Sequence, residues 1–394
     1  MLIDITFIQA NKGKTRMLYP AIRALLFGTA YSIRGYIKEQ TNIVQALRKA
    51  AQRLKERGEQ RAATALYVIA VRLFPQSEEL VCEYAQTEIE WKAFISADRI
   101  IETWRQKHPD SLLASATCIR LLHATGQMNK AQELLDTLLK SMPPDITSYE
   151  ALWLARTSTL LKKYSAAKDL LTSELEKHPT DVALVKELGA LLRNTGNYSE
   201  AQVILSSSAS KVVNCQQITA LRDIVDGELA VYQEKARPTL DSTLTANGEG
   251  SDTIFMLLEA ALPFRKSGYT YRSHALLKGM AKLELQCEAF SAPGSSGPLP
   301  PGNELITSDI YEGVRYHRGF LPQSPNYRHY PLNEFLQYSA DLAMGALGGK
   351  KPRLFHAASN FKNGLVAAAL SKAYDVPWVY ELRGLWHETQ CALG

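Results

Sequence analysis

A short run of small, hydroxyl-bearing and basic residues is the part of the sequence best suited to bind a phosphate group. It follows the apolar stretch Thr253–Ala261 and comprises Ser267, Gly268, Tyr269, Thr270 and Arg272. A glycine at a strand-to-helix turn lets a diphosphate approach the backbone N–H groups at the positive end of the helix. The hydroxyl groups and the guanidinium would add hydrogen bonds and charge. The run therefore predicts a phosphate site, with a tight turn closed by an N-cap as the alternative.

A second set of polar residues stands close to the ends of two later apolar stretches. His356 closes one of them, and Glu381 and Arg383 flank the end of the other. Open α/β sheets bind ligands at the carboxyl ends of their strands, so these three are candidate catalytic residues. A structural role for His356 and a local ion pair between Glu381 and Arg383 are the alternatives. Asn360 and Asn363 stand at the turn into the intervening helix, where we expect them to act first as caps.

These residues need a framework that brings strand ends together, and residues 253–394 have the pattern of one. Short apolar runs bounded by proline, glycine and polar residues are typical of buried parallel strands. The predicted strands are Thr253–Ala261, Leu285–Phe290, Leu354–Ala357 and Trp378–Leu382, with a hairpin at Ser308–Arg318 and helices at Ala275–Lys282, Leu332–Leu347 and Asn363–Tyr374. This alternation of strands and helices predicts a doubly wound parallel sheet.

The first half of the chain repeats itself. Four prolines recur at spacings of 34, 34 and 36 residues, and an alanine stands twelve positions before each, followed four positions later by a larger apolar residue. The prolines are Pro75, Pro109, Pro143 and Pro179, the alanines Ala63, Ala97, Ala131 and Ala167, and the larger residues Tyr67, Ile101, Leu135 and Leu171. Period and pattern are those of the tetratricopeptide repeat (TPR), a unit of two helices and two short turns.

These signals divide the chain into four segments. We predict a basic N-terminal cap at 1–43, a TPR array at 44–215, a capping helix and linker at 216–252, and an α/β domain at 253–394. About five repeats are predicted, with starts near Val44, Glu78, Leu112, Ser148 and Val182. The repeat pattern is lost in residues 206–235, where only a capping helix is predicted, at Gln217–Glu234. The expected fold class is α plus α/β: an α-solenoid followed by an incomplete doubly wound sheet.

Three ordered segments within residues 253–390 resemble the N-terminal Rossmann domain of family 4-type glycosyltransferases, which have two such domains. SGYTYRSHALLKGM resembles the first strand-to-helix loop of that family, YEGVRYHRGFLP the segment before its lid helix, and FHAASNFKNGLVAAALSKAYDVPWVYELRGLWHE its fourth and fifth strands. The resemblance implies a nucleotide-sugar donor as substrate, without a separate cofactor, with its diphosphate near Gly268. It also implies that His356 lies near the transferred sugar, although some relatives carry a second histidine where Ala358 stands here. Asn360 and Asn363 would face the acceptor.

The resemblance covers about 35% of the chain and stops before the second Rossmann domain, which in that family holds the base and ribose of the donor. We therefore expect a glycosyltransferase-like protein that transfers no sugar by itself. The alternative is a protein-binding scaffold. In that case a protein partner would lie on the concave face of the TPR array, and the Rossmann fragment would be vestigial.

Charge and composition exclude other classes. The net charge is +5, but residues 1–60 carry eleven Lys/Arg against four Asp/Glu, so this segment could lie on an anionic membrane surface. A solvated cap helix is the alternative. The charge accompanies no nucleic-acid-binding motif, the five cysteines are dispersed, and the sequence has neither an Asp-x-Asp pair for a metal nor a G-x-G-x-x-G for NAD. We expect a cytoplasmic protein, possible contact with a membrane surface aside, with no metal and no nucleic-acid partner.

Overall fold

The computed structural model describes residues 33–209, 215–241, 250–324, 326–384 and 388, and only the helical backbone for 33–42, 208 and 209. By compactness the chain divides into an N-terminal unit, Met1–Lys163, and a C-terminal unit, Tyr164–Gly394. The predicted membrane contact falls largely on residues outside the described ranges. Among the described helices, none is long and apolar enough to cross a bilayer.

The described part of the N-terminal unit is a TPR-type array of helices. Its helices are α1 (Ile33–Glu56), α2 (Gln60–Leu73), α3 (Glu78–Glu90), α4 (Phe94–Arg105), α5 (Leu112–Ala124), α6 (Met128–Ser141) and α7 (Ser148–Leu160). Turns of three to six residues join them, and turns this short make neighbouring helices antiparallel. The odd-numbered helices, the first helices of the repeats, therefore run in one direction. α3, α5 and α7 begin at the predicted residues, whereas α1 begins well before the predicted Val44.

The alanines of the repeat lie in the packed interface between its helices. Ala63, Ala97 and Ala131 have no exposed surface. The larger residues one turn later are also buried, as are both tryptophans of this unit that stand at core positions; these residues are Tyr67, Ile101, Leu135, Trp104 and Trp153. A larger side chain at an alanine position would push the helices apart, because protein interiors are packed without spare volume.

The turn after each first helix needs a residue in the left-handed conformation. Gly58 and Gly126 take it with φ of 71° and 80°, and Lys92 and Lys162 take it with φ of 61° and 60°. Glycine adopts this conformation without strain, whereas other residues do so rarely. The glycine signal is therefore intermittent in the sequence, although the turn recurs in every repeat of this unit.

The C-terminal unit begins with four more helices: α8 (Tyr164–Lys177), α9 (Val182–Asn194), α10 (Tyr198–Ala209) and α11 (Gln216–Tyr232). Ala167 and Ala201 are again without exposed surface. The repeat pattern of the sequence is lost after residue 205, but the helices keep the repeat spacing. The first helices from α3 to α11 begin 34, 36, 34 and 34 residues apart. The predicted capping helix is thus α11, which stands in the position of the first helix of a further repeat.

The rest of the C-terminal unit is a six-stranded mixed sheet with helices on both faces. The strands are β1 (Ile254–Leu258), β2 (Cys287–Ser291), β3 (Ile306–Tyr311), β4 (Val314–Gly319), β5 (Leu354–Ala358) and β6 (Trp378–Glu381). The helices are α12 (Gly268–Lys282), α13 (Leu332–Leu347) and α14 (Phe361–Tyr374), with a short 3-10 helix at Tyr327–His329. The strand order is β3-β4-β2-β1-β5-β6.

One strand makes the sheet mixed rather than wholly parallel. β3 pairs antiparallel with β4, and every other pair is parallel. The turn between β3 and β4 consists of Glu312 and Gly313, which have φ of 47° and 82°. Two residues with positive φ form the tight turn that matches the twist of a hairpin. The predicted hairpin is therefore present, and its outer strand adds an antiparallel edge to the predicted parallel sheet.

Alternate residues of the central strand supply two separate cores. Phe255 and Leu257 of β1 belong to the core that includes residues of α13 and α14. Met256 and Leu258 belong to the core on the opposite face, together with Leu277 of α12. This alternation is the period of two that a strand imposes on its side chains.

The last helix of the repeat series is covered by a helix of the sheet region. α11 packs on α9 and α10 as a first helix should, and α13 packs against it in addition. Val231 of α11 belongs to the same core as Leu332 and Phe335 of α13. Gly227 makes this approach possible, since a Cβ there would stand 2.7 Å from Pro331 Cβ and 2.9 Å from the backbone nitrogen of Leu332.

We predict that Gly227→Ala destabilises the protein by about 1–3 kcal/mol, because the added methyl group meets backbone that cannot move freely. Gly279, inside α12, is the matched control, since a Cβ there would meet nothing within 4 Å. Gly279→Ala should instead stabilise by about 0.5–1 kcal/mol, as expected for glycine replaced inside a helix. Urea unfolding of both variants measures the two effects; equal midpoints would contradict the tight α11–α13 contact.

Candidate functional site

A cleft lies at the carboxyl ends of β1 and β5. These neighbouring strands lead in opposite directions across the sheet, β1 to β2 on one side and β5 to β6 on the other. Such a reversal leaves a crevice outside the strand ends, where open α/β sheets bind their ligands. The cleft has a volume of about 760 Å³ and is lined by Leu258, Glu259, Ala260, Arg265, Ser267, Tyr269, Thr270, Ser273, Tyr327, Arg328, Ala358, Ser359, Asn360, Phe361, Tyr380, Leu382 and Gly384.

The predicted phosphate run forms the start of α12, at the edge of this cleft. The helix begins at Gly268, seven residues before the predicted Ala275. A capping box explains the early start: the backbone N–H of Thr270 donates to Ser267 Oγ over 3.3 Å, and the backbone N–H of Ser267 donates to Thr270 Oγ1 over 2.9 Å. Two of the three hydroxyl groups predicted to bind a phosphate, those of Ser267 and Thr270, are therefore engaged in capping. The predicted N-cap is present, and it is compatible with an anion at the same helix end.

Gly268 has open space in front of it. A Cβ built there would meet nothing within 4 Å, and its φ does not lie among the positive ones. The glycine is therefore not needed for the backbone conformation of the turn. The absence of a side chain at Gly268 instead leaves room for an anionic group to approach the first backbone N–H groups of α12.

Glu381 is the centre of a charged cluster at the end of β6. It accepts hydrogen bonds from Arg272 over 2.8 Å and from Arg383 over 2.7 Å, and its Oε2 lies 3.3 Å from His356 Nε2. Arg383 also donates to Ser273 Oγ over 2.6 Å. The side chain of Arg383 is only 1% exposed. The ion pair that the sequence suggests for Glu381 and Arg383 is thus present, and it links the end of β6 to α12.

Charge and burial set the protonation of this cluster. Burial by itself would raise the pKa of Glu381, but the hydrogen bond and charge of Arg383, helped by His356 and Arg272, outweigh it and lower that pKa. Burial lowers the pKa of His356, and the charge of Arg383 adds to this, against the opposing effect of Glu381. The cluster is therefore a carboxylate held between guanidinium groups, with a histidine that is hard to protonate.

The two asparagines serve as local anchors at the start of α14. Asn360 is the N-cap and accepts from the backbone N–H of Lys362 over 3.0 Å, as expected from the sequence. Asn363 is buried and donates to the carbonyl of Ala358 over 3.0 Å, which fixes the helix to the end of β5. Ser359, between strand and cap, has a φ of 69°. Such strain in a residue other than glycine is often found at binding sites.

The candidate residues fall into two adjoining groups. Ser267, Tyr269, Thr270 and Asn360 line the cleft, whereas the Glu381 cluster lies beside it. The link is Arg383, which donates to the carbonyl of Tyr269 over 3.3 Å. The proposed catalytic and phosphate-binding roles of these residues stay predictions.

A partly buried ion pair in the same region was not foreseen from the sequence. Lys362 Nζ donates to Glu259 Oε1 over 3.2 Å and lies 3.4 Å from the centre of the Tyr327 ring. The Lys362 side chain is 5% exposed, and within the described residues the other carboxylate oxygen of Glu259 is buried without a hydrogen-bond partner. A usable signal existed: a lysine in the first turn of a helix opposes the helix dipole and therefore needs a compensating partner.

The N-terminal unit contains a second candidate site, on the face formed by the first helices of its repeats. Arg48 of α1 donates to Glu83 of α3 through Nε over 3.0 Å and through Nη2 over 2.6 Å, and it also pairs with Glu79. Tyr149 of α7 donates to the same oxygen of Glu83 over 2.9 Å, and the Arg48 guanidinium lies 4.8 Å from its ring centre. This network joins the first, second and fourth repeats and fixes the face they form.

The protonation states within this network are also fixed. Burial would lower the pKa of Arg48, but its hydrogen bond to Glu83 and the charge of that residue raise it instead. Burial raises the pKa of Tyr149, and the charge of Glu83 raises it further. Tyr149 therefore remains a hydrogen-bond donor and Arg48 a cation under all ordinary conditions.

Next to this network is a groove of about 660 Å³, lined by Val44, Leu73, Phe74, Pro75, Gln76, Ser77, Glu78, Glu79, Leu113, Thr147, Tyr149 and Glu150. We call it the acidic groove, because its lining contains three carboxylates and no lysine or arginine. The carboxylates alternate with apolar surface from Val44, Leu73 and Phe74. Its volume is in the range of sites that hold a ligand or a few side chains of a peptide.

Neither the known protein families nor the curated proteins contain a match to this chain. Solved structures with similar helices include a thermophilic TPR protein from Thermus thermophilus, TTC0263, at 17% identity over 46% of this chain and 98% of that chain, with a TM-score of 0.35. PilW, a type IV pilus biogenesis factor, matches at 17% identity over 49% and 87%, with a TM-score of 0.34. YrrB, a TPR protein with an unusual peptide-binding site, matches at 13% identity over 43% and 84%, with a TM-score of 0.29. None of these likenesses bears on function.

We predict that His356 makes the stability of the C-terminal unit fall on mild acidification. Its pKa in the folded chain is lowered from the ordinary 6.5, so below that pH the unfolded chain binds a proton that the folded chain does not, and stability is lost as pH falls. His356→Gln removes the titration and keeps a donor facing Glu381. The drop in melting temperature between pH 7.5 and 5.5 should then shrink, by on the order of 2 °C. An unchanged drop would contradict the assignment.

Proposed function

We propose that this chain is a protein-binding scaffold whose TPR array takes up a segment of a partner protein in the acidic groove. The observation that supports this most directly is the groove itself. It is bordered by first helices that a partly buried network holds in place, so that little ordering is needed when a partner binds. Its lining offers apolar surface from Val44, Leu73 and Phe74 beside the carboxylates of Glu78, Glu79 and Glu150.

The chemistry of the lining indicates the kind of segment that fits. Apolar side chains of the partner would cover Leu73, which is 46% exposed, and lysine or arginine side chains would pair with the carboxylates. Charge complementarity of this kind selects a partner and orients it, while apolar burial supplies most of the affinity.

We predict that Leu73→Asp abolishes partner binding, because it replaces the exposed apolar surface of the groove with a charge. Ile95→Asp is the matched control, since Ile95 is 80% exposed on α4 and lies outside the groove. Affinity capture with quantitative mass spectrometry measures how much of each partner is captured. The wild type and the Ile95 variant should capture the partner equally, and the Leu73 variant should capture at least about tenfold less. The purified partner segment should show the same order of affinities in solution. Equal capture by all three proteins would refute the scaffold proposal.

A second candidate function rests on the cleft of the C-terminal unit. We propose that it binds the diphosphate of a nucleotide sugar, as the resemblance to family 4-type glycosyltransferases implies, with the nucleotide sugar as substrate and no further cofactor. The supporting observation is that α12 and α14 both begin at this cleft, so two helix N-termini are available to an anion. Arg265 and Arg328 also line it, and Gly268 leaves its edge open.

We predict that Gly268→Val weakens binding of UDP-glucose and GDP-mannose about tenfold or more, because the side chain fills the space through which a phosphate would reach the N–H groups. Gly279→Val in the same helix is the control, since a side chain at either glycine meets open space. Isothermal titration calorimetry of the wild type and both variants, with inorganic phosphate as a reference ligand, makes the comparison. If the wild type binds neither nucleotide sugar, or if both variants bind equally well, the cleft has another role.

A further inference from the structure

The acidic groove lies at one end of the first helices. Glu78 and Glu79 stand in the first turn of α3, Leu113 in that of α5, and Tyr149 and Glu150 in that of α7. Because the first helices run in one direction, the chain enters α1 at this same end. The groove therefore lies at the end of the array where α1 begins.

The distance from the first residue of α1 to the groove is short. Val44 of α1 is part of the groove lining, and α1 begins eleven residues earlier at Ile33. At 1.5 Å per residue this is about 16 Å of helix. A chain of 32 residues can extend about 100 Å, so residues 1–32 can return to the groove in many ways.

The chemistry of residues 1–32 complements that of the groove. They contain Lys12, Lys14, Arg16 and Arg23 against a single carboxylate, Asp4. Apolar residues follow at once, in MLYPAIRALLF from Met17 to Phe27. The groove presents three carboxylates, no lysine or arginine, and the exposed side chain of Leu73. Arg48 is the nearby cation, and it is already paired with Glu79 and Glu83.

We propose that residues 1–32 of the same chain occupy the acidic groove, with their lysines and arginines against Glu78, Glu79 and Glu150 and their apolar residues against Leu73. A tethered segment has an effective concentration in the millimolar range, so even weak contacts keep the groove filled. The segment then competes with any partner of similar chemistry. This consequence rests on the proposed scaffold function, whereas the docking itself does not.

The test is limited trypsin digestion of the full chain, with mass spectrometry following cleavage after Lys12, Lys14, Arg16 and Arg23. Docking hides these bonds, so cleavage tracks the population of the undocked state. We expect cleavage to be about tenfold slower than in a synthetic peptide of residues 1–32, and independent of protein concentration. The readout needs no partner, so its failure leaves the scaffold proposal untouched.

Neutralising the groove should release the segment. One variant combines Glu78→Gln, Glu79→Gln and Glu150→Gln. It retains side chains that accept hydrogen bonds and adds no trypsin site. The rate of cleavage in residues 1–32 should rise about threefold or more. The triple variant Glu56→Gln, Glu102→Gln, Glu133→Gln removes the same charge from exposed positions outside the groove lining. It should behave as the wild type.

A second variant leaves the described fold untouched. Lys12→Glu, Lys14→Glu and Arg16→Glu together reverse the charge of the segment, and cleavage after Arg23 should then approach the rate of a peptide with the same changes. Three results would overturn the proposal: wild-type cleavage as fast as in the free peptide, no difference between the two glutamine variants, or protection that is lost on dilution. The last would assign the groove to the segment of a second copy.

Discussion

The architecture follows from one constraint: an apolar helix face must be covered, and a TPR-type repeat can cover its own only with its neighbours. Within the N-terminal unit, alanines without exposed surface let the helices of each repeat approach. The same constraint acts on α11, which stands in the position of a first helix. α13 covers it instead, and the close contact at Gly227 brings α11 into the core of the sheet region. The last repeat helix and one face of the sheet thereby share a core.

Strand order and helix capping together shape the cleft of the C-terminal unit. Because β1 and β5 lead away from each other, their carboxyl ends leave a gap that no crossing connection fills. Capping residues, Ser267 and Asn360, stand at this gap and set where α12 and α14 begin. Behind it, Glu381 gathers Arg272, Arg383 and His356 and ties the end of β6 to α12. The cleft thus combines two positive helix ends with charges that are mostly neutralised by one another.

The acidic groove shows the opposite arrangement. Beside it, Arg48, Glu83 and Tyr149 form an internally paired network that joins three of the first helices. Its lining adds Glu78 and Glu150, which serve local purposes: Glu78 accepts from Ser111, and Glu150 completes the capping box of α7. Carboxylates that lie near helix N-termini and make local hydrogen bonds thus also make the groove acidic. The side chains that make these local contacts therefore also set the electrostatic character of the face.

The sequence by itself determined the repeat period, the starts of α3, α5, α7 and α9, most strands of the sheet and the hairpin, because these depend on local patterns of apolar, small and turn residues. It also placed Asn360 as a cap at a helix start, whereas it began α12 seven residues too late. It could not show that α11 keeps the repeat register, since that helix is covered by α13 and needs no repeat pattern of its own. Only the tertiary structure decided which distant charges meet. Arg48 joins Tyr149 across two intervening repeats, and Lys362 finds Glu259 103 residues away. Such pairs leave no periodic trace, because an ion pair depends on the folded position of two side chains and not on their spacing along the chain.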